Sequence, residues 1–203
     1  MRTRRMLGWA AVGAAALALS VNLSARAGGQ VKVGEAVADF ALADETGKEH
    51  HLSDYRGKLV VLEWTNQDCP FVQRHYRKDT MEKLAAQYGA KDVVWLAVNS
   101  TSGNQPEDTQ AWKSAQGFEY PTLQDGDGKV GRMFGARTTP HMYVIGTDGK
   151  LAYAGAIDDD SRGSADVPVN YVEGALQSLA RGESPDPSET QPYGCSVKYS
   201  AAN

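Results

Sequence analysis

The stretch LVVLEWTNQDCPFVQRHY, residues 59–76, carries the fold prediction for this chain. Its first six residues form an apolar run bounded by polar segments, which is typical of a buried strand at the centre of a parallel sheet. The polar residues 65–68 then predict a loop at the edge of that sheet. Pro70 suits the first turn of a helix, because its missing N–H would have no partner there. We therefore expect Cys69 at a strand-to-helix junction.

Outward from this junction, apolar runs alternate with helical patterns. Further strands are predicted at residues 37–42, 93–98, 121–123, 142–145 and 151–154, and helices at residues 70–88, 106–116, 127–134 and 169–180. The turn residues 146–149 predict a hairpin between the last two strands. This order predicts an α/β fold, a three-layer α/β/α sandwich with a mixed central sheet, parallel strands at the centre and the hairpin at one edge.

The position of Cys69 predicts a reactive thiol. Unpaired backbone N–H groups and the helix dipole stabilise an anion at a helix N-terminus, and a thiolate there has a lowered pKa. Such a thiolate is a nucleophile or a metal ligand. The neighbouring carboxylate of Asp68 opposes this effect, and a buried inert cysteine is the alternative. The polar loop before Cys69 favours the reactive thiol.

Residues 1–27 have the pattern of a secretory signal. Basic residues precede an Ala- and Leu-rich run, and the small residues Ala25 and Ala27 favour cleavage after Ala27. A transmembrane anchor is the alternative, but the run is short and is interrupted by Gly8 and Gly13. The arginines also match a twin-arginine signal loosely. We expect an exported, periplasmic or extracytoplasmic protein without a membrane anchor after cleavage.

The remaining chain predicts one domain at residues 28–181 and a proline-containing tail at residues 182–203. The net charge is −4 and no basic cluster is present, so no nucleic-acid or anionic-membrane partner is expected. The two cysteines of the sequence are Cys69 in the domain and Cys195 in the tail. Export would place them where a disulfide persists.

Two segments carry a resemblance to a known family. VADFALADETGKEHHLSDYRGKLVVLEWTNQDCPFVQRHY, residues 37–76, resembles the opening of the redoxin family, the peroxiredoxin and alkyl-hydroperoxide-reductase branch of the thioredoxin fold. DGDGKVGRMFGARTTPHMYVIGTDGKLAYAGAI, residues 125–157, resembles its second half, and the similarity extends over residues 31–181. The resemblance implies a thioredoxin-like fold, a peroxide or protein-disulfide substrate and a thiol reductase whose identity is unknown.

The same resemblance implies roles for two further residues. Pro140 is expected to be the cis-proline that lies against the active cysteine, and Thr139 is expected to face Cys69, so that the two shape the substrate groove. Separately, an inward-pointing arginine would lower the pKa of Cys69. Arg137 is the better candidate for this role, because Arg74 falls off the Cys69 face of the predicted helix.

The chain also departs from the family patterns. Val72 stands where a thioredoxin-type pair has its second cysteine, so the CxxC motif is absent. Leu62 and Asn66 stand where peroxiredoxins carry a proline and a threonine or serine. The best match is a peroxiredoxin-like subgroup with CPFV, here residues 69–72, and a C-terminal YGCSVKY, here residues 193–199.

Cys195 is the candidate partner of Cys69, and three interpretations remain open. A resolving cysteine on a flexible tail would attack a Cys69 sulfenic acid and form a disulfide. A permanent bridge would instead tie the tail down in a non-catalytic binding protein, and two free thiols far apart are the third possibility. Tyr193 and Tyr199 flank Cys195 and are expected to dock the tail on apolar surface.

No metal or other cofactor is expected. A copper or haem-iron site made by Cys69, His141 and Cys195 is the less favoured alternative, since thiolate and imidazole suit copper. Residues from Asp125 onward are similar to half of a calcium loop, but Ala136 occupies the position that requires glutamate, so a turn is predicted.

Two polar groups are interpreted as surface features. His50 and His51 are expected to be exposed residues of a hairpin. The acidic residues 158–160 are expected to form a solvated connection.

Overall fold

The computed structural model describes residues 29–201. The predicted signal segment, residues 1–27, lies outside the described part of the chain, so its cleavage stays a prediction. The strands are β1 (Ala41–Ala43), β2 (Glu49–His51), β3 (Leu59–Trp64), β4 (Val93–Asn99), β5 (Thr122–Gln124), β6 (Thr138–Thr139), β7 (His141–Ile145), β8 (Leu151–Gly155) and β9 (Cys195–Ser196). The helices are α1 (Pro70–Arg77), α2 (Thr80–Gly89), α3 (Pro106–Gln116), α4 (Lys129–Phe134) and α5 (Tyr171–Ala180), with a 3-10 turn at Leu52–Tyr55.

A five-stranded sheet in the order β5-β4-β3-β7-β8 forms the centre of the molecule. β3 lies in the middle, parallel to β4 with Leu62 opposite Leu96, and antiparallel to β7 with Leu62 opposite Tyr143. β5 is parallel to β4, and β7 and β8 form an antiparallel hairpin at the edge. The predicted α/β architecture with a mixed sheet and an edge hairpin is confirmed.

Alternate residues of the central strands pack into two separate cores. Val61 and Val144 belong to a core that also contains Cys69 and the buried side chains of α1, α2 and α5. Leu62 and Tyr143 belong to the opposite core, which contains Phe134 of α4. This two-residue alternation follows from strand geometry. It places Cys69 on the same side of the sheet as three helices.

The single helix predicted over residues 70–88 is wrong, because the chain forms α1 and α2 instead. The break lies at Asp79, whose φ of 52° is in the left-handed region. The preceding Lys78 N–H satisfies carbonyls at the end of α1. Because a second helix begins after this break, Val72 of α1 and Leu84 of α2 both pack in the same core. One straight helix would not allow this, because residues 77–80 between them are polar.

The strand predicted at residues 37–42 is also wrong. Residues 41–43 pair with β2 in a small separate sheet, and before them only an isolated bridge joins Ala36 to Lys150. The prediction that His50 is exposed is wrong, because only 4% of this residue is exposed. Its imidazole bonds the Asp44 carboxylate at 2.8 Å and the Tyr55 hydroxyl at 2.5 Å, so local polar partners make its burial possible.

The tail was predicted to lack regular structure, and this is wrong at one place. Cys195–Ser196 forms the short strand β9, which pairs antiparallel with β6. Backbone hydrogen bonds from β6 therefore hold this part of the tail against the domain. Within residues 29–201, no helix has the length and apolar character required to cross a membrane.

Candidate active site

Cys69 occupies the N-cap of α1, as the sequence predicts. Its backbone has extended angles, Pro70 follows in the first turn, and its N–H donates to the Asn66 carbonyl at 3.0 Å. The Asn66 side chain in turn accepts from the N–H of Asp68 at 2.7 Å, so the loop is internally braced. The side chain of Cys69 is buried, and 1% of the residue is exposed. The thiol thus lies at a helix N-terminus that is shielded from solvent.

The carbonyl of Thr139 is the direct partner of the Cys69 thiol. The thiol donates to this oxygen at 2.9 Å, and the Thr139–Pro140 peptide bond is cis. The Thr139 hydroxyl is buried and has no hydrogen-bond partner among residues 29–201. The structure therefore brings Thr139, Pro140 and Cys69 together, as the family resemblance implies.

Cys195 completes the group from the tail. It lies opposite Thr139 in the pairing of β9 with β6, and the Thr139 carbonyl is the acceptor of the Cys69 thiol, so the two cysteines lie close together. Both cysteines are free thiols in this structure. The interpretation of two thiols far apart is therefore wrong, because the tail folds back over Cys69.

The two thiols have opposite acidities. Burial raises the pKa of Cys69, but hydrogen bonds from Cys195 and from the backbone of Val72 oppose it, and the pKa is held below its ordinary value. Burial raises the pKa of Cys195, and the hydrogen bond and charge of Cys69 raise it further. Cys69 is consequently the more acidic thiol of the pair, and Cys195 is the one that keeps its proton more strongly.

Arg137 does not face Cys69 as its predicted role would require. Arg137 is exposed, and its guanidinium donates to the Gln191 side chain at 3.2 Å. The hydrogen bonds that lower the pKa of Cys69 come instead from Cys195 and the backbone of Val72. Arg137 therefore contacts the tail near Cys195 rather than the nucleophile, since its long side chain extends to the surface.

Tyr193 holds the tail on the N-terminal side of Cys195. Its hydroxyl donates to the carboxylate of Asp158 and lies 3.0 Å from Nε2 of His75. Arg74 donates to the same hydroxyl at 3.4 Å, and the Tyr193 ring lies 6.0 Å from that of Phe71. The expected docking is therefore both apolar and polar.

Sequence reasoning missed the polar half of this contact. His75 falls on a different face of α1 from Cys69, and residues 158–160 are typical of an exposed acidic loop. The structure corrects the second interpretation, because Asp158 and Asp160 are both buried. Burial lowers the pKa of His75 to about 4, with Asp158 opposing the shift, so the imidazole is neutral near pH 7. No spacing in the sequence connects these residues.

Tyr199 holds the tail on the other side of Cys195. Its hydroxyl donates to the Ala136 carbonyl at 2.7 Å, and the Arg132 guanidinium lies 4.7 Å from its ring centre. The N–H of Ser102 donates to the Lys198 carbonyl at 2.7 Å. Cys195 is thus suspended between two anchored tyrosines.

His141 is placed for packing rather than for metal binding. Its Nδ1 lies 3.0 Å from the Tyr143 hydroxyl, and burial lowers its pKa to about 3. Among residues 29–201, no three histidine, cysteine, aspartate or glutamate side chains are grouped as metal ligands would be. A copper site that joins Cys69, His141 and Cys195 is thus not formed.

The predicted turn at Asp125 is present. Its carboxylate accepts hydrogen bonds from the N–H groups of Val130 and Gly131 at 3.1 and 2.8 Å. The same carboxylate accepts from the Ser100 hydroxyl at 2.5 Å. Asp125 therefore braces the start of α4 rather than a calcium loop.

Comparisons with known proteins agree with this architecture. The model of the AhpC/TSA family matches residues 33–154. Thiol-disulfide oxidoreductase ResA of Geobacillus thermodenitrificans is 31% identical over 121 residues, which are 60% of this chain and 67% of that protein. A Mycobacterium tuberculosis protein named "Putative peroxiredoxin" is 27% identical over 138 residues, covering 64% of this chain and 80% of that protein.

A solved structure gives the same result for the fold. An uncharacterized conserved protein from Geobacillus kaustophilus superposes with a TM-score of 0.76 and 28% identity, over 86% of this chain and 95% of that one. The redoxin resemblance is confirmed by the family match, and the predicted thioredoxin-like fold is confirmed with it. Assignment to the CPFV subgroup stays a prediction.

Proposed function

Because this chain belongs to the AhpC/TSA family, we propose that it is an exported thiol-dependent oxidoreductase. Cys69 is its nucleophile and Cys195 is its resolving thiol. Thr139 and Pro140 form the wall of the groove beside the nucleophile. No metal or other cofactor takes part in this proposal.

One observation carries the proposal. Cys195 lies opposite Thr139 in the pairing of β9 with β6, and the carbonyl of the same Thr139 accepts from the Cys69 thiol, so the tail cysteine lies close to the cysteine at the helix N-terminus. The pKa of Cys69 is lowered and that of Cys195 is raised. In such a pair the more acidic cysteine, as a thiolate, attacks the substrate. The neighbouring cysteine, which keeps its proton, then forms the disulfide with it.

The chemistry balances in two steps and a reset. The Cys69 thiolate attacks the terminal oxygen of a hydroperoxide, and the O–O bond breaks. That oxygen keeps its proton and becomes the sulfenic hydroxyl, and the departing alkoxide or hydroxide takes a proton from solvent and leaves as alcohol or water. The Cys195 thiol then displaces the sulfenic hydroxyl as water and forms the Cys69–Cys195 disulfide. An external dithiol reduces this disulfide and leaves as a disulfide itself.

A protein disulfide is the second substrate class. Attack by the Cys69 thiolate then gives a mixed disulfide and releases the client's other sulfur as a thiolate. Cys195 resolves the mixed disulfide, so that the client leaves fully reduced and the Cys69–Cys195 disulfide remains. Similarity to a thiol-disulfide oxidoreductase and to a protein named as a peroxiredoxin supports both classes.

The test is thiol trapping read by mass spectrometry. Reduced protein is mixed with one equivalent of hydrogen peroxide or of a small aromatic disulfide, quenched with an alkylating agent and digested. We expect Cys69 to react faster than a free cysteine and the Cys69–Cys195 disulfide to follow. With Cys195→Ser, a dimedone adduct of Cys69 should accumulate after peroxide.

Two results would overturn the proposal. If Cys69 reacts no faster than free cysteine with either oxidant, the nucleophile is assigned wrongly. If the disulfide forms but resists dithiols down to potentials well below about −270 mV, the pair is a structural bridge, and the protein is a non-catalytic binding protein.

Export has its own measurement. The N-terminal pattern of residues 1–27 supports cleavage after Ala27. Intact-mass analysis of the protein from a secreting bacterial host should give a mature chain that begins at Gly28. A chain that retains residues 1–27 contradicts this part of the proposal.

A further inference from the structure

Tyr193 anchors the tail beside Cys69, but its side chain takes no part in the proposed chemistry. Tyr193 stands two residues before Cys195, and its hydroxyl contacts His75, Asp158 and Arg74. Two of these residues belong to α1, the helix that begins at Cys69. Nucleophile and tail are therefore fastened to the same rigid element.

The hydroxyl of Tyr193 is fully engaged. It donates to Asp158, so the protonated Nε2 of His75 donates to its oxygen, together with Arg74. Asp158 and His75 are 4% and 2% exposed, so neither has water as a ready substitute partner. The phenol oxygen matters here, because a phenyl ring would leave the buried Asp158 carboxylate with only the N–H of Asp160 as donor and would leave the His75 donor without its acceptor.

From this geometry we infer that Tyr193 is a positioning residue for the resolving cysteine. Its buried hydroxyl contacts hold β9 in register with β6, so that the Cys195 thiol faces Cys69 when Cys69 becomes oxidised. This inference rests on the proposed function. It adds a residue set, Tyr193 with His75, Asp158 and Arg74, that determines how fast the disulfide closes.

Gly194 links Tyr193 to Cys195, and its closeness to β6 leaves the backbone between them little freedom to move. Its φ is 135°, and a Cβ placed on it would overlap the carbonyl oxygen of Thr139, the acceptor of the Cys69 thiol. A link this close to β6 transmits the position of Tyr193 directly to Cys195. Ring closure inside one molecule depends on the fraction of time that the reacting atoms are correctly placed.

The step affected is the condensation of the Cys69 sulfenic acid with the Cys195 thiol. The sulfur–oxygen bond breaks, the sulfur–sulfur bond forms, and the hydroxyl leaves as water with the Cys195 proton. Tyr193 touches neither sulfur. It acts by keeping the tail docked.

The experiment separates oxidation from closure in the full-length protein. Rapid quench after hydrogen peroxide addition, read by intact mass, follows the sulfenic acid as it appears and then disappears into the disulfide. Tyr193→Phe keeps the ring against Phe71 but removes the hydroxyl. We expect closure to slow by about tenfold or more, with oxidation of Cys69 changed by less than about threefold.

Tyr171→Phe is the matched control. Tyr171 is the first residue of α5, and its hydroxyl makes no hydrogen bond within residues 29–201, so the same chemical change there should leave both rates as in the parent. Arg74→Gln serves as a second variant, because it removes one donor to Tyr193 and should slow closure in the same direction. A general loss of stability would lower both rates together.

The outcomes are distinguishable from those of the proposed function. Failure of Cys69 to react with both hydrogen peroxide and the small aromatic disulfide in the parent protein contradicts the proposed function; where only the disulfide reacts, closure is followed from the mixed disulfide instead of the sulfenic acid. Normal oxidation with unchanged closure and unchanged dimedone trapping in both Tyr193→Phe and Arg74→Gln contradicts only the role of Tyr193. Slower closure without slower oxidation supports it.

Discussion

Cys69 and Cys195 carry the same functional group but are held by different kinds of structure. Cys69 is held locally, at the junction of a central strand and the helix that follows it, and is almost fully buried. Cys195 is half-buried on a two-residue strand whose partner, β6, is more than fifty positions away in the chain. Tyrosines on each side fasten it to the domain.

This difference bears on both the acidity and the position of the thiols. The helix terminus and the backbone of Val72 lower the pKa of Cys69 from within the domain, and Cys195 lowers it from the tail. The reaction partner is supplied by a tail that only tertiary contacts hold in place. Changes in the tail should therefore alter disulfide formation far more than they alter the frame around Cys69.

The largest effect is expected for Gly194→Ala. A Cβ here would overlap the Thr139 carbonyl, so β9 must move away from β6 and carry Cys195 with it. We expect the equilibrium constant for forming the Cys69–Cys195 disulfide, measured by glutathione titration, to fall by about a hundredfold.

Gly182→Ala is its control. Gly182 also has a positive φ, but nothing lies within 4 Å of its added Cβ. If the two variants lose disulfide stability equally, backbone strain rather than the contact with Thr139 is responsible, and the tail is held less closely than the structure indicates.

A second prediction concerns Glu63, which lies on the central strand that leads to Cys69. Glu63 of β3 is fully buried, bonded by the Tyr76 hydroxyl and the Trp95 indole at 3.0 Å each, and burial raises its pKa from 4.5 to about 7. Between these values the folded state keeps a proton that the unfolded state releases. This group therefore lowers stability as the pH rises from 4.5 to 7, by roughly 1 to 3 kcal/mol.

Glu63→Gln should remove that decline. Urea unfolding of variant and parent at pH 5 and pH 8 measures it as a difference, in which the opposite contributions of the buried histidines cancel. The variant should gain stability relative to the parent at the higher pH. An identical pH dependence in the two proteins would mean that Glu63 is charged throughout.

The smallest effect is expected for Cys195→Ala. It removes the thiol that donates to Cys69, so the pKa of Cys69 should rise towards its ordinary value. Alkylation of Cys69 by iodoacetamide near pH 7 should slow by about three- to tenfold. In Cys195→Ser the hydroxyl still donates, and the rate should stay closer to that of the parent. Equal rates in all three proteins would show that Cys195 does not influence the thiolate.

Much of the frame was predictable because it depends on local pattern. The run at residues 59–64 and the proline after Cys69 place the thiol at a helix N-terminus, and the structure has it there. The helix at Pro106–Gln116, bounded by its own proline and glycine, also has the predicted limits. The break at Asp79 was not predicted from the pattern of apolar residues. The apolar faces of α1 and α2 point in different directions, and the helix is interrupted between them.

The tail could not be predicted in the same way. Prolines correctly indicate that residues 182–194 lack regular structure, but the pairing of Cys195 with Thr139 depends on a strand edge that exists only after the domain folds. The cluster of His75, Asp158 and Tyr193 joins three distant segments. No periodicity links them, because each residue taken alone is typical of a surface.

The sequence by itself therefore determined the α/β architecture, the family and the place of Cys69, since strand and helix periodicity, a capping position and a family pattern are all written in neighbouring residues. Only the tertiary structure decided that Cys195 lies against Cys69, that Arg137 does not, and that Tyr193 is anchored beside them. Those contacts depend on burial and hydrogen bonding between segments that meet only when the sheet is complete.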